Sequence, residues 1–556
     1  MYRQIKDIDP DKLPDSELRP VLVLVLNVLE RVLSVLDEAN KKVEILEDEI
    51  RRLKGGNSRP QIKGKAKQSG NISSGGKELG LKEEGASEKE DKSLIVEIDE
   101  EIKVRIDKSQ LPPDAVFKGY SPYTQQDIEI KRRNRLFLFE TWYSPSLGET
   151  FQAPWPEGEV RGHYGPGIRS LLNVLRHMSD VTEPSAYNLM KSLGIEISVG
   201  TISNLLKEEL SWALEEQEAI LRAGLRDSTP KQMDTTANRQ KGGNKMTHII
   251  TNANFTAFYT TDTRSRLDCL RVLQGNPKEG ILLLWYEGIE TALIDAKLKA
   301  SHPEKLKKVM KNMPCLTIPE FDALMSKEAP EIFKHKFVMR AIREEMALAY
   351  YKKQQKFLPL KLLLTDNAAE YQKIAQYHAL CWVHDARHYN MLSPRMARHL
   401  KKLEEFKKRY WEFYRKILDY TRRKVEDQQD LKTKLLNEFD ALFVPCTQYE
   451  ALDKTIEGTL ATKRKLLLVL DFPDIPLHNN AAELAARRVV RKRDISLHTW
   501  SDWGTQLRDA FLSIIQTALK LKVSPYQFIC DRIYGRLQMD SLATLIDRKH
   551  LATRTF

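Results

Sequence analysis

Residues 361–366 read Lys-Leu-Leu-Leu-Thr-Asp, an apolar run that ends in a carboxylate. A short apolar run between polar residues is typical of a buried strand, so we expect a strand here with Asp366 at its carboxyl end. Four more strands are expected from similar patterns, at residues 231–235, 246–251, 257–261 and 380–383. The first of these would end near Asp234.

The order of these strands predicts the fold class. Three antiparallel strands, followed by parallel strands that alternate with helices, is the order of an RNase H-like α/β fold. We assign this core to residues 229–525, with helical insertions at about 285–355 and 396–465. A helix capped by Asn479 or Asn480 would follow the second insertion.

Residues 1–54 predict an oligomerisation segment. Apolar residues alternate at spacings of three and four on a stretch rich in Glu, Lys and Arg, as in a coiled coil. The predicted seam is Leu22, Val25, Leu29, Val32, Leu36, Ala39, Val43, Leu46, Ile50 and Leu53. We therefore predict a homo-oligomer through residues 18–54. The alternative is a single amphipathic helix that packs on its own domain.

The segments between the coiled coil and the core differ in character. Residues 55–92 are dominated by Gly, Ser, Lys and Glu and predict a flexible linker, which should uncouple the coiled coil from the folding of the core. Residues 93–160 predict a small β-rich module with strands at 94–98 and 135–139. The chain as a whole is thus expected to be a multidomain α+β protein.

Two further helical regions flank the predicted core. Residues 161–228 predict a DNA-binding region, because a helix, a turn with Gly194 and a second helix outline a helix-turn-helix. Such outlines are also common in ordinary helical packing. Residues 526–556 predict a C-terminal helical tail.

Composition limits the function classes. The net charge is +12 over 556 residues, which suits nucleic acid as a partner, although solubility alone would also explain it. The five cysteines form no C-x-x-C pair, which indicates neither a zinc knuckle nor a disulfide framework and fits a reducing cytosol. The apolar run at 21–29 is too short to cross a bilayer, and the N-terminus lacks the apolar core of a signal peptide. We expect a cytoplasmic, nucleoid-associated protein with no membrane partner.

Three carboxylates carry the predicted chemistry. Asp234, Asp366 and Glu483 would converge at one end of the sheet, where sites form in open α/β sheets. Three carboxylates can hold two magnesium ions on one phosphate, since magnesium prefers oxygen ligands. A chain with 77 acidic residues offers many such triples, so spacing alone is a weak argument.

The local sequences resemble the transposases of insertion-sequence family sixty-six. Asn479-Asn480-Ala481-Ala482-Glu483, followed by Arg487 and Arg493, resembles the family's N-N-x-A-E-R-x-x-R signature, and the likeness continues through Ser501, Gly504 and Arg508. Residues 365–371 are similar to its D-G-Y-A-A-Y block, and residues 234–236 to its D-E-T start. Cys381-Trp382-Val383-His384, with Arg387, resembles its C-W-A-H-x-R-R block. The likeness touches nearly the whole chain.

The resemblance implies a DDE transposase with Asp234, Asp366 and Glu483 as catalytic residues and metal ligands. The expected cofactor is Mg²⁺, for which Mn²⁺ can substitute. The expected partners are double-stranded DNA, as terminal inverted repeats and as target, and accessory transposition proteins. The family's cysteine-rich zinc module is absent here, so no zinc is expected, and Leu484 and Arg488 stand where the family has Arg and Pro.

Residues around the triad have more than one interpretation. His384 is expected beside the metals, although a core histidine is the alternative; Asn479 and Asn480 either contact substrate or only cap the helix. Four arginines are expected to bind DNA phosphates, although pairing with acids would also explain them: Arg387, Arg487, Arg493 and Arg508. Three tryptophans are expected in the core rather than as stacking platforms for bases: Trp382, Trp500 and Trp503.

Two other functions stay open from the sequence. An inactive or domesticated relative would bind DNA without cutting it. A coiled-coil scaffold would have no enzymatic activity, but it leaves the carboxylates at the strand ends unexplained. Cleavage of a labelled element end in the presence of magnesium would separate the first of these from a transposase.

Overall fold

The computed structural model describes residues 10, 18–53, 98–107, 112, 115–128, 130–156, 159, 161–208, 211–274, 280–286, 288–295, 301–310, 315–354, 358–423 and 428–554. The predicted linker at 55–92 and most of the predicted strand at 94–98 lie outside the described residues. Contacts divide the chain into two units. One comprises residues 1–62, 154–187 and 198–556, and the other comprises residues 63–153 and 188–197.

The elements before the central sheet are α1 (Leu18–Leu53), β1 (Thr141–Ser144), β2 (Glu149–Gln152), α2 (Pro166–His177), α3 (Glu183–Ser192), α4 (Val199–Leu205) and α5 (Ser211–Arg226). Next come β3 (Lys231–Gln240), β4 (Gly243–Thr251), β5 (Thr256–Thr261), α6 (Arg266–Leu273), β6 (Leu282–Leu284), α7 (Ile289–Asp295), α8 (Ser301–Met310), β7 (Cys315–Thr317), α9 (Ile318–Glu328), α10 (Pro330–Phe333) and α11 (Lys336–Lys353). The remainder are β8 (Leu362–Thr365), β9 (Tyr377–Leu380), α12 (Trp382–Met391), α13 (Ala397–Thr421), α14 (Gln428–Leu442), α15 (Glu450–Ala461), α16 (Lys463–Leu466), α17 (Asn480–Ser496), α18 (Asp502–Lys520), α19 (Pro525–Ile533) and α20 (Leu542–Arg554).

A mixed five-stranded sheet forms the centre of the larger unit, in the order β5-β4-β3-β8-β9. β3, β4 and β5 are antiparallel neighbours, while β8 runs parallel to both β3 and β9. This is the strand order expected from the sequence, with three antiparallel strands followed by two parallel ones. The last strand was predicted at 380–383, which is wrong: β9 ends at Leu380, and α12 begins at Trp382. β3 is longer than expected, because it continues for six residues beyond Asp234 to pair fully with β4.

The two faces of the sheet bury different helices, because successive side chains of a strand point to opposite sides. Ile249 and Phe258 pack against Ala485, Ala486 and Val489 of α17. The small alanines let the helix lie close to the sheet, and each large side chain buried there contributes about 1.5–3 kcal/mol. α17 is therefore held in one rotational setting, which fixes where its first turn projects.

The opposite face packs against α5, α6 and α11 in a large apolar core. Ile250 lies on this face, one residue after Ile249 on the other. Gly224 lets α5 approach the sheet, because a Cβ there would lie 2.6 Å from ring carbons of Phe255. The sheet is thus covered on both faces.

Two predicted domain boundaries need correction. The boundary at residue 228 does not separate a helical domain from the core, because Ile220 and Leu221 of α5 are fully buried in the apolar core that packs on the sheet. The boundary at residue 525 is also misplaced: Phe528 of α19 and Ile546 of α20 are buried in that same core. The C-terminal residues are therefore part of the core rather than a tail, because their apolar faces pack on it.

The predicted β-rich module is smaller than expected. Its described strands are β1 and β2, an antiparallel hairpin whose turn includes Gly148 at φ 65°. No strand forms at 135–139, where Leu136 and Leu138 are 84% and 86% exposed. The strand predicted there from the alternating pattern is therefore wrong, since the segment has no partner strand among the described residues.

The two predicted insertions differ from each other. The first is not purely helical, because β6 and β7 form a two-stranded antiparallel sheet in it. In the second, the described segments include the helices α13, α14 and α15. In the predicted helix-turn-helix region, α3 is followed by Gly194 at φ 72°, and the Ser198 side chain accepts a hydrogen bond from the Thr201 amide to cap α4.

α1 packs on its own chain along one face. Leu26 is 1% exposed, and the buried Glu30 carboxylate accepts hydrogen bonds from the Arg395 and Met396 amides at the start of α13. The expectation that α1 is uncoupled from the core is therefore wrong. Several residues of the predicted seam are exposed on α1: Val25, Val32, Leu36, Val43, Leu46 and Ile50. Among the described residues, no helix is both long and apolar enough to cross a membrane.

Candidate active site

Asp234 lies on β3, and Asp366 directly follows β8, the parallel neighbour of β3. In the parallel pair β3–β8, Lys231 is opposite Leu363 and Gln232 is opposite Leu364. Continued by two residues, this register sets Asp234 beside Asp366, at a strand spacing of about 4.8 Å. Asp234 accepts a hydrogen bond from the Thr235 amide at 2.8 Å, and Asp366 accepts one from the Ala368 amide at 3.1 Å.

Glu483 reaches the same region from the first turn of α17. The positive end of a helix dipole stabilises a carboxylate at this position. The loop before α17 is attached to the central sheet, because the Asn479 side-chain amide donates to the Met233 carbonyl at 2.8 Å, one residue before Asp234. The Trp382 amide donates to the Leu477 carbonyl at 2.9 Å on the other side of the loop.

Asn479 does not act as a side-chain cap. It occupies the N-cap position of α17, but its side chain makes no capping hydrogen bond and is used for the Met233 contact instead. Its backbone amide donates to Cys381 Sγ at 3.3 Å, and the residue is 1% exposed. Asn480, the first residue of α17, is half-buried. Asn479 is therefore a positioning residue that holds the helix bearing Glu483 against the strand bearing Asp234.

The three carboxylates influence one another electrostatically. Burial is the largest cause that raises the pKa of Asp234, to about 6, and the negative charges of Asp366 and Glu483 raise it further. The hydrogen bond from the Thr235 amide and the charge of Arg264 act in the opposite direction. All three predicted catalytic residues thus contribute to one acidic cluster.

Arg387 and His384 of α12 lie against Glu483. Arg387 donates from Nη2 to both Glu483 oxygens, at 3.0 and 3.2 Å. His384 Nδ1 lies 3.6 Å from Glu483 Oε1. Burial, together with the Arg387 charge, lowers the pKa of His384 despite the nearby acids. The neighbouring thiol of Cys381 has its pKa raised by burial to about 11, so it is a small buried side chain and not a nucleophile.

Arg264 is a charged neighbour of the cluster that the sequence analysis missed. Its Nε donates to Glu370 Oε1 at 2.6 Å, and its charge lowers the pKa of Asp234. Tyr371 is also close, with its hydroxyl 2.8 Å from Thr235 Oγ1. Arg264 follows β5 without any motif of its own, so only the pairing of β3, β4 and β5 brings it to the site.

The other predicted DNA-binding arginines have different environments. Arg487 is half-buried and has no hydrogen-bond or ion-pair partner among the described residues. Arg493 donates from Nη1 to the Ala237 carbonyl of β3 at 2.6 Å. Arg508 is buried, with Nη2 donating to Thr260 Oγ1 at 2.8 Å and to Asp509 Oδ1 at 2.6 Å. Its position contradicts a phosphate contact, because the fold uses the guanidinium to pair a buried acid.

The tryptophans also differ from one another. Trp382 is fully buried, as expected, and its indole donates to the Leu466 carbonyl at 3.0 Å. Trp503 is half-buried and donates to the Lys207 carbonyl at 2.9 Å. Trp500 is 73% exposed, which contradicts its predicted place in the core.

The donor set of the acidic cluster suits a divalent cation. Three carboxylates that repel one another gain from a cation between them, and oxygen ligands fit magnesium. Within the described ranges, no group of three or more His, Cys, Asp or Glu side chains is already spaced to hold a metal ion. The carboxylates are therefore neighbours that would have to draw closer around an ion.

Comparisons with known proteins indicate the family of the chain. The model of the family described as "Transposase IS66 family" matches residues 334–507, which include Asp366 and Glu483 but not Asp234. The chain is 30% identical over 320 residues to "Uncharacterized protein y4jO" of Sinorhizobium fredii, a match that covers 56% of this chain and 94% of that protein. No solved structure matches the chain at a significant level. These matches, together with the carboxylates and the C-W-V-H segment, show that the chain belongs to the IS66 family of transposases.

Proposed function

We propose that this protein is a DDE transposase with an RNase H-like core, which cuts the 3′ ends of an insertion element and joins them to target DNA. The observation that carries the proposal is the parallel register of β3 and β8, which, continued by two residues, sets Asp234 beside Asp366. The charges of Asp366 and Glu483 both raise the pKa of Asp234, so the three carboxylates lie near one another. The strand order of the sheet supports the fold assignment.

Asp234, Asp366 and Glu483 would hold the divalent ions, with Mg²⁺ as the proposed cofactor and Mn²⁺ as a substitute. When bound, such ions neutralise charge on the attacked phosphate and activate the attacking water or 3′-hydroxyl. The chain's own contribution is positioning: Asn479 holds α17 against β3, and Arg387 sets the direction of the Glu483 carboxylate.

The partners proposed for this activity are double-stranded DNA and further copies of the chain. Arg487, which has no partner among the described residues, is suited to a phosphate contact beside the acidic cluster. α3 and α4 would recognise the terminal inverted repeats, with accessory proteins as further partners. The exposed seam of α1 would join two or more copies, since two element ends need two catalytic cores.

Replacing Asp366 by Asn tests the proposal, because the change removes one ligand charge and keeps the size of the side chain. Cleavage and joining of a labelled element end in Mg²⁺ should be abolished, while binding of that DNA should stay nearly intact. Asp474→Asn, at an exposed carboxyl in the loop before α17, is the matched control and should behave as wild type. A near-wild-type rate in Asp366→Asn would refute the assignment. DNA binding without cleavage by the wild-type protein would favour an inactive, DNA-binding relative.

A further inference from the structure

An exposed aromatic turn lies at the end of the β3–β4 hairpin. The turn consists of residues 497–500 between α17 and α18, and we call it the tryptophan turn. Trp500 is 73% exposed and Leu497 is 67% exposed. Indole and leucine side chains normally gain from burial, so two of them exposed on one short turn indicate a surface that another molecule covers.

The tryptophan turn is held rigidly despite its exposure. The Thr499 amide donates to the Arg239 carbonyl at 3.2 Å, and the Lys241 amide donates to the Thr499 carbonyl at 2.9 Å. The His498 ring contacts the Trp500 ring edge to face, with centroids 4.5 Å apart. Leu497 has φ 60°, a conformation that is costly for a leucine and that persists only where the surrounding contacts impose it. The backbone next to the indole is therefore anchored to the β3–β4 hairpin, which reduces the entropy that the turn would lose on binding.

Two cations lie beside this turn, together with the exposed Asp502 carboxylate, which accepts a hydrogen bond from the Gln240 side chain. Arg239 and Lys241 are exposed, and their side chains have no ion-pair partner among the residues that the structure describes. Both are joined through the backbone to Thr499, the residue before Trp500. An exposed aromatic ring on an anchored turn, with cations that lack ion-pair partners beside it, suits a nucleic acid, in which bases offer flat apolar faces and phosphates offer negative charge.

The distance from the acidic cluster defines where such a contact would fall. Gln240, which bridges to Thr499, follows Asp234 by six residues along β3. At about 3.3 Å per residue this separates the tryptophan turn from the carboxylates by about 20 Å. At about 3.4 Å per nucleotide of one strand, the separation corresponds to about six nucleotides of DNA.

We propose that Trp500 stacks on an unpaired DNA base about six nucleotides from the phosphate that the carboxylates attack, with Arg239 and Lys241 on the adjoining phosphates. This contact rests on the proposed transposase function and adds a site to it. Its chemistry favours an unstacked base over a paired one, because only an unstacked base exposes a whole ring face. The contact would therefore favour DNA whose helix is opened near the element end.

Two DNA probes separate base stacking from general DNA binding. One is a duplex with a single unpaired 2-aminopurine, and the other is the same duplex with that base paired to thymine, both titrated in EDTA so that no cleavage occurs. Trp500→Ala should weaken binding to the unpaired probe by about tenfold or more and abolish the quenching of 2-aminopurine, while binding to the paired probe stays unchanged. Trp500→Phe should retain most of the affinity, since it keeps an aromatic face.

The same titrations of the two probes are used for the control variants. Phe337→Ala removes another aromatic side chain that is 86% exposed, on α11, and should change neither affinity. Arg239→Ala with Lys241→Ala should weaken both probes and reduce the salt slope by about two. Equal affinity of wild type and Trp500→Ala for the unpaired probe would overturn the proposal. A change in sedimentation of Trp500→Ala without a change in that affinity would also overturn it, in favour of a protein interface. Failure of the wild type to bind either probe would instead refute the transposase function.

Discussion

Replacing Asp234 by Asn tests whether the acidic cluster holds unfavourable charge in the folded protein. The pKa of Asp234 is raised from 3.8 to about 6 by burial, with the charges of Asp366 and Glu483 adding to the increase. An asparagine has nearly the same shape and no charge. The variant should therefore keep the packing of β3 and lose the cost of ionising this side chain.

The size and sign of the effect follow from proton linkage. A carboxyl with a raised pKa in the folded state binds its proton more tightly there than in the unfolded chain, so it favours folding at low pH. That contribution is fully present below about pH 4 and is lost as the pH rises through about 6. Each pKa unit corresponds to 1.36 kcal/mol, so the full shift is worth about 3 kcal/mol of unfolding free energy, of which the wild type should lose about 2.4 kcal/mol between pH 4 and pH 7.

Urea unfolding in EDTA at pH 4, 5, 6 and 7 measures this difference. The unfolding free energy of Asp234→Asn minus that of wild type should rise by about 2.4 kcal/mol across the series, with an unchanged slope against urea. Mg²⁺ in place of EDTA should offset the loss in the wild type and have no such effect on the variant. Asp474→Asn provides the baseline for an exposed carboxyl. A difference that stays constant with pH, or a wild type that is the more stable protein at pH 7, would refute the reasoning.

Four further variants test, in turn, positioning, buried ion pairing, phosphate contact and assembly. Asn479→Ala removes the hydrogen bond to the Met233 carbonyl. The variant should lower the cleavage rate at saturating DNA by about tenfold or more, with little change in DNA affinity. A lower unfolding midpoint with an unchanged cleavage rate would contradict a positioning role. Arg508→Ala leaves a buried carboxylate unpaired and should cost about 3–5 kcal/mol of unfolding free energy without altering the salt dependence of DNA binding. Arg487→Ala should leave the unfolding free energy nearly unchanged and reduce the salt slope of DNA binding by about one. Equal slopes in Arg487→Ala and wild type would exclude a phosphate contact. Leu36→Lys with Val43→Lys should prevent self-association, because like charges would enter an apolar seam; an oligomer that persists in sedimentation equilibrium would show that the exposed face of α1 is not the interface.

Most of the sheet was predictable from the sequence because four of its strands follow local patterns; β9 was placed three residues too late, where the apolar residues after Leu380 begin a helix. The run before Asp366 is apolar at every position except its ends, and β8 follows it closely. The pairing register was not predictable, since the sequence of neither strand determines which of its residues lies opposite a given residue of the other. Only the fold gives the register of β3 against β8 from which Asp234 is placed beside Asp366.

The side chains around the cluster were harder to predict, because their partners are distant in sequence. Asn479 has the sequence of a helix cap, but its side chain bonds to a carbonyl 246 residues earlier. Arg508 lies on α18, which is buried on most of its surface, so a charged residue there needs a buried partner. Composition alone suggests an exposed arginine and a buried Trp500, and both expectations fail because burial depends on tertiary packing.

The contact between α1 and α13 has a consequence for shortened forms of the chain. Glu30 occupies the place of a helix cap for α13, whose own N-cap residue, Met396, makes no side-chain capping bond, and His399 Nδ1 lies 3.1 Å from the same carboxylate. A chain without α1 would leave these amides and the buried His399 ring without that acceptor, and the loss of a single cap costs about 0.5–2 kcal/mol. Any partner that drew α1 away from the core would have to supply this free energy, so assembly through α1 and the local stability of α13 are thermodynamically coupled.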